Sequence, residues 1–254
     1  MSVKDSILVV IPYLSSAAQG RELELSVAGW RKHFKEKFLI VVVGDWHPVV
    51  ESGKDITFIK CPRVGRVPQP EYRPHIDHVN KFLAVRNAFP KSKGFIYACD
   101  DMYAIKDFTL ATVKKPKVRM TEILGSFHSE NAWVRENYRT KKLLMKEGLP
   151  TMNWVCHLPV YYEWDKLLEI YEKYSCREHS RVVEQLYFNT YFADSDYDVL
   201  EDGSTDNEYQ AKYWNRADSG HKLDDYIGKK YWICNSERGW TKELEDALVE
   251  YYGL

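Results

Sequence analysis

No stretch of this 254-residue chain approaches the roughly 18 consecutive apolar residues that a membrane-spanning helix needs. The first residues, Met1-Ser2-Val3-Lys4-Asp5, run straight into a short apolar segment, and Pro12 with the polar residues after it argues against a secretory signal. A soluble, cytoplasmic protein is the expectation. Cysteine is scarce and unpatterned: the five residues at 61, 99, 156, 176 and 234 are odd in number and show no C-x-x-C spacing. That excludes a disulfide framework and a zinc ribbon and fits a reducing compartment. An excess of charge of one sign is missing too. A formal net charge of −1 gives no bulk attraction for polyanions, although local basic patches stay open. There is no G-x-G-x-x-G, no G-x-x-x-x-G-K-[ST] and no G-x-S-x-G, which removes the usual signs of a Rossmann dehydrogenase, a P-loop enzyme and an α/β-hydrolase. Internal repeats, low-complexity tracts and an interdomain linker are also lacking.

What is present is a hydrophobic fraction of 44%, enough for a substantial core in one α/β domain spanning 1–254. Aromatics are plentiful, with 18 Tyr and 8 Trp, and serve both core packing and stacking on sugars or bases. Ile7–Ile11 is a β-branched run that reads as a buried parallel strand stopped by Pro12. Residues 20–35 read as a helix, Phe38–Val43 as a second buried strand ending at Gly44-Asp45, and Ile56–Ile59 as a third. Residues 61–75, with four prolines, form a long loop; 76–89 reads as a helix and Phe95–Ala98 as a strand. The second half is richer in helix, with candidates at 131–147, 161–174, 180–193 and 241–252. Short strands are expected near 118–127, 153–156 and 231–234, and a long mobile loop over 201–227.

The strongest chemical signal is Phe95-Ile96-Tyr97-Ala98-Cys99-Asp100-Asp101, a buried strand ending in two adjacent carboxylates. Ligands of open α/β sheets bind beyond the carboxyl ends of the strands. Neighbouring acids there repel and resist desolvation unless a cation compensates, and Mg²⁺ or Mn²⁺ with substrate phosphate oxygens suits the site. A solvated turn with a capping Asp is the alternative. Asp45 repeats this placement at the second strand and can face a base or ribose, or simply end a strand. Pro12 and Tyr13 close the first strand, with Tyr13 either stacking on a base or packing. Arg73, Asn80 and Lys81 flank or lie in the helix before the Asp-Asp strand, where a helix N-terminus and cations attract a diphosphate; a capped surface helix reads equally well. His157, followed by Leu158-Pro159, offers a metal ligand, a phosphate contact or a proton shuttle, or is structural. Arg181 can clamp a phosphate and Glu184 can act as general base on an acceptor hydroxyl; ordinary helical surface charge is the other reading.

In order along the chain, the Ile7–Ile11 strand, Val41-Val42-Val43-Gly44-Asp45 and Asp100-Asp101 resemble the GT-A glycosyltransferases, with the last pair in the place of their D-x-D motif. The segment from Asn80 to Met102, the later His157-Leu158-Pro159 with Arg177 or Arg181, and Ile233-Cys234-Asn235 are similar to conserved blocks of the Stealth hexose-1-phosphate transferases of capsule synthesis. Cys99 stands where that family favours Asn, Ser236 where an Asp follows the Asn, and the family's first block is not recognisable. The resemblance implies a GT-A-like (Rossmann-like) mixed, mostly parallel sheet flanked by helices. It also implies a nucleotide-binding half, 1–110, and a helix-rich acceptor-binding half, 111–254. The implied activity is metal-dependent glycosyl transfer from a UDP- or GDP-sugar with Mn²⁺ or Mg²⁺, with Asp100, Asp101 and His157 at the metal. Pro12, Tyr13, Asp45, Arg73, Asn80, Lys81 and Asp100 would bind the nucleotide sugar, and His157, Arg181 and Glu184 would be catalytic. Sugar-phosphate transfer and a non-catalytic binding module are the rivals. The acceptor stays open between a glycan, a lipid-linked sugar, a protein and a modified nucleic acid. Basic stretches at 61–73 and Lys114-Lys115-Pro116-Lys117 allow an anionic one.

Overall fold

A computed structural model describes residues 6–63, 74–119, 122–200, 207–213 and 222–254. In chain order the first half runs β1 (Ile7–Tyr13), α1 (Glu22–His33), β2 (Phe38–Gly44), β3 (Ile56–Lys60), α2 (Pro74–Ala88), β4 (Gly94–Tyr97), β5 (Met102–Ala104), α3 (Leu110–Lys114) and β6 (Lys117–Val118). The second half runs α4 (Ala132–Lys146), β7 (Val160–Glu163), α5 (Trp164–Lys173), α6 (Val183–Tyr191), β8 (Asp198–Val199), β9 (Gln210–Tyr213), β10 (Trp232–Asn235) and α7 (Lys242–Tyr252).

The central sheet has the order β3-β2-β1-β4-β7. Its first four strands are parallel and β7 is antiparallel to β4, which gives the expected mixed, mostly parallel sheet. Helices cover both faces because the strands are apolar on both. Leu8, Val10, Val41, Val43 and Phe95 point to the face packed by α2, α5 and α6. Their neighbours Val9, Ile11, Ile40, Val42 and Ile96 point to the face packed by α1. A three-stranded sheet, β5-β10-β9, extends the core under α7, where Ile233 and Tyr103 meet Leu244 and Leu248. No helix among the described residues is long and apolar enough to cross a membrane.

Four local expectations need correction. Strand β1 does not stop at Pro12 but runs to Tyr13, with Pro12 opposite Val43. Strand β4 pairs with β1 only over Leu8–Val10, so Pro12 lies past the two-sided part of the strand, where a missing N–H is tolerated. Residues 153–156 form no extended strand; Asn153 alone makes a β-bridge, and its carbonyl accepts from the Arg119 N–H at 2.8 Å. Side chains of α6 satisfy neighbouring backbone groups: Gln185 Oε1 accepts from Trp154 N at 2.9 Å, and Asn189 bonds both the N–H and C=O of Met152 at 2.9 Å. The antiparallel strand starts instead at Val160, and among the described residues of 118–127 only Val118 lies in a strand, the two-residue β6. Within 201–227, expected as one loop, β9 pairs in parallel with β10.

Candidate functional site

Beyond the carboxyl ends of β1, β2 and β4 lies a cleft of about 220 Å³ lined by Pro12, Glu22, Asp77, Lys81, Asp100 and Asp101, with Asn235 and Glu237 on its far wall. The parallel strands deliver their C-termini to one edge, and the turn after β4 presents both aspartates there. Gly44 ends β2 at φ +136°, a value that disfavours any side chain. A Cβ at this position would fall 2.1 Å from the Tyr13 carbonyl oxygen and 3.1 Å from Lys81 Cε. The glycine therefore lets the lysine stem pass beneath the strand ends. Lys81 is 3% exposed and bonds Asp77 one helical turn earlier, Nζ to Oδ2 at 2.7 Å.

The cleft carries an excess of negative charge. Burial, then the charges of Asp101 and Glu22, push the Asp100 carboxyl up to about 7. Glu22 is also raised, chiefly by burial, against hydrogen bonds from the Gln19 N–H (2.7 Å) and Asn235 Nδ2 (2.8 Å). Asn235 is itself fixed by the Tyr103 hydroxyl, which donates to its Oδ1 at 2.7 Å. Asp101 Oδ2 meets His157 Nε2 at 3.1 Å, whereas its Oδ1 is buried without a hydrogen-bond partner. An orphaned carboxylate oxygen among other acids is the environment that a hard divalent cation relieves. Among the described residues, no group of three or more His, Cys, Asp or Glu side chains is disposed to hold a metal without help.

His157 occupies the left-handed region at φ +57°, an uncommon position for a side-chain-bearing residue that the surroundings must enforce. Cys234 Sγ of β10 bonds the His157 carbonyl at 3.2 Å, and Gln210 Nε2 of β9 bonds the Cys156 carbonyl at 3.0 Å. The smaller sheet thus holds the histidine against the aspartates. On its other side opens a pocket of about 320 Å³ lined by rings, among them His75, His78, Tyr97, Trp133 and Tyr162, with Glu184 inside. His78 borders both spaces. Burial raises the Glu184 carboxyl to about 8 against one backbone hydrogen bond from Cys156, and its Oε1 has no partner.

Pro12, Lys81, Asp100 and Asp101 are thus brought together, with His157 bonded to Asp101 and Glu184 in the pocket beyond. Tyr13 is a core residue, 6% exposed, with its ring edge-on to His47 at 5.4 Å. Asp45 reaches the same edge but accepts from the Ser15 N–H and hydroxyl at 2.9 and 2.7 Å, and these bonds hold its carboxyl below the usual range. Asn80 bonds the Ile76 carbonyl of its own helix at 3.0 Å. Arg181 lines a separate groove beside α4. Arg73 lies outside the described residues, as does most of the basic loop 61–73. The basic stretch 114–117 is engaged internally: Lys115 pairs with Asp198 at 2.6 Å, Lys117 bonds the Thr112 and Lys115 carbonyls, and Lys114 lies 4.5 Å from the Tyr161 ring centre. Sequence reasoning missed Glu22, which looked like an ordinary first-turn acid of α1. It also missed His78 as a lining residue and gave Asn235 no role, although the Ile233-Cys234-Asn235 block pointed at it.

No family model and no curated protein matches the chain. Among solved structures it is similar to the glycosyltransferase GlyE of Streptococcus pneumoniae TIGR4, at 14% identity and a TM-score of 0.41 over 98% of this chain and 60% of that one. It is also similar to a 4-diphosphocytidyl-2C-methyl-D-erythritol synthase from Anaerococcus prevotii DSM 20548, at 12% identity and a TM-score of 0.42 over 78% and 87% of the two chains. A third is a glycosyltransferase involved in the glycosylation of the major capsid of PBCV-1, at 9% identity and a TM-score of 0.45 over 98% and 100%. The chain thus spans about 60% of the length of GlyE. With every one of these TM-scores below 0.5, the likenesses carry no weight for function.

Proposed function

We propose that this chain is a GT-A-like, metal-dependent glycosyltransferase that uses a nucleotide-sugar donor, with the cleft at Asp100 and Asp101 as its donor site. One observation supports this reading above the others. Several carboxylates converge at the C-terminal edge of a mostly parallel sheet, one of them with an orphaned buried oxygen, beside a single buried lysine. Asp100 and Asp101, with His157, would hold Mn²⁺ or Mg²⁺, and the remaining ligands would come from a diphosphate. The cation would supply charge neutralisation on the departing phosphate. Lys81 would add a fixed positive charge to the same oxygens. Pro12 and Asp45, at the tips of β1 and β2, would border the nucleoside. With its carboxyl raised to about 8 by burial, Glu184 would donate a hydrogen bond to an acceptor at neutral pH and would serve as a base near and above pH 8.

The test is a thermal-shift panel of UDP- and GDP-sugars with and without Mn²⁺. A donor that binds only the native state raises Tm, by an amount set by its concentration over Kd. The expected result is a shift that needs both donor and Mn²⁺ and is lost in Asp101→Asn while that variant stays folded. A panel with no metal-dependent shift would overturn the reading. Transfer of sugar 1-phosphate is a second reading. It is favoured by Asn235, which reaches the cleft wall, and by Glu237, which lines the cleft one residue beyond Ser236. Product mass separates the two, because only the second adds phosphate with the sugar.

A further inference from the structure

Arg135, Arg139, Lys142 and Lys146 recur along α4 at intervals of four, three and four residues and therefore stand in one row. They line a groove of about 620 Å³ whose opposite wall carries His179 and Arg181. At about 1.5 Å per residue the row is roughly 16 Å long. Among the described residues, no carboxylate pairs with Arg139, Lys142 or Lys146, although Lys141 on the adjoining face pairs with Glu122 at 2.5 Å. Arg135 bonds the Ser129 and Glu130 carbonyls, at 2.7 and 2.6 Å. Glu136 also lines the groove, but it is buried, bonded by the Ser180 hydroxyl and 3.2 Å from His75. The groove is therefore a positive feature on a chain whose net charge is −1.

Exposed rings accompany the cations. Phe127 is 55% exposed and lies 6.3 Å from the Tyr138 ring, and Tyr138 in turn lies 5.6 Å under the Lys142 ammonium. Trp133, 39% exposed at the start of α4, belongs to the ring-walled pocket beside His157 and not to the groove. A single row of unpaired cations tracks one phosphodiester backbone, and exposed rings beside it take unstacked bases. A duplex would present two backbones and no free base faces to those rings.

We propose that this groove binds single-stranded nucleic acid, its phosphates along the α4 row and its bases against Phe127 and Tyr138. The inference is independent of the donor site, so it is read without metal or nucleotide sugar. The experiment is fluorescence anisotropy of a labelled twelve-nucleotide oligothymidylate between about 50 and 200 mM salt. Binding should weaken with salt. Arg139→Glu with Lys142→Glu should weaken it at least tenfold and lower the magnitude of the log–log salt slope by about 1.4, at about 0.7 per phosphate contact. Phe127→Ala should weaken binding and leave the slope unchanged, and Lys91→Glu, at a residue that does not line the groove, should change neither. Absence of binding at the lowest salt overturns the proposal, as does binding that ignores the double reversal. So does competition by heparin or by a duplex of equal length that matches the unlabelled single strand.

Discussion

Glu184 sits in a ring-lined pocket with one backbone hydrogen bond and an unpartnered oxygen, so burial decides its protonation. An acid raised from 4.5 to about 8 in the folded chain stabilises it fully below the unfolded value, and that contribution is lost as pH rises through the folded one. Glu184→Gln removes this titration. Its Tm relative to wild type should therefore climb steadily between pH 5 and pH 8; a difference that stays flat would mean that Glu184 is charged in the native state. Asp100 and Asp101 were legible in the sequence because two adjacent acids ending an apolar strand have few neutral explanations. Glu184 was legible as a first-turn acid that could serve as a general base or as ordinary surface charge, and nothing local told that its helix faces inward. Tyr13 at a strand tip left stacking on a base and packing both open, and the fold packs its ring edge-on to His47.

Beside the smaller sheet, α6 also positions His157, acting through the irregular segment before the histidine. Gln185 is fully buried; it accepts from Trp154 N at 2.9 Å and donates to Asn153 Oδ1 at 2.7 Å. Asn189, one turn later, grips Met152 by both backbone groups. Gln185→Leu keeps the volume but strands a buried N–H, which costs about 1–3 kcal/mol. Urea unfolding should show a lower midpoint with an unchanged m-value, and the donor-induced Tm shift should shrink because His157 loses its support. Donor shifts equal to wild type would separate α6 from the site. An apolar pattern with Pro159 invites a strand at 153–156 because a sequence displays the hydrophobic run but not the side-chain amides, about 30 residues on, that bond the Met152 and Trp154 backbone and leave only a bridge at Asn153.

For the whole molecule, the pH dependence of stability joins groups from several elements. His75 and His78 are held neutral by burial, at about 3 and about 4, while unfolding returns them to 6.5. A base depressed in this way contributes stability above its unfolded value and loses it as pH falls. Glu184 and Asp100 act in the opposite direction, so between pH 4.5 and 6.5 the two sets offset each other. Tm should therefore vary little over that window and decline from pH 6.5 to 8, where only the carboxyls still titrate. Scanning calorimetry across pH 4.5–8 checks this, and a rise in Tm towards pH 8 would contradict it. The sequence by itself determined the central layers. Short continuous β-branched runs stopped by turn residues read as strands buried on both faces, and such strands order a parallel sheet whose carboxyl edge carries Asp45, Asp100 and Asp101. Only tertiary structure decided which groups face those acids. Glu22, Asn235 and His157 come from segments far apart in sequence, and packing of the second sheet and of α6 brings them within hydrogen-bonding distance of one another or of the aspartates, a relation that no local pattern encodes.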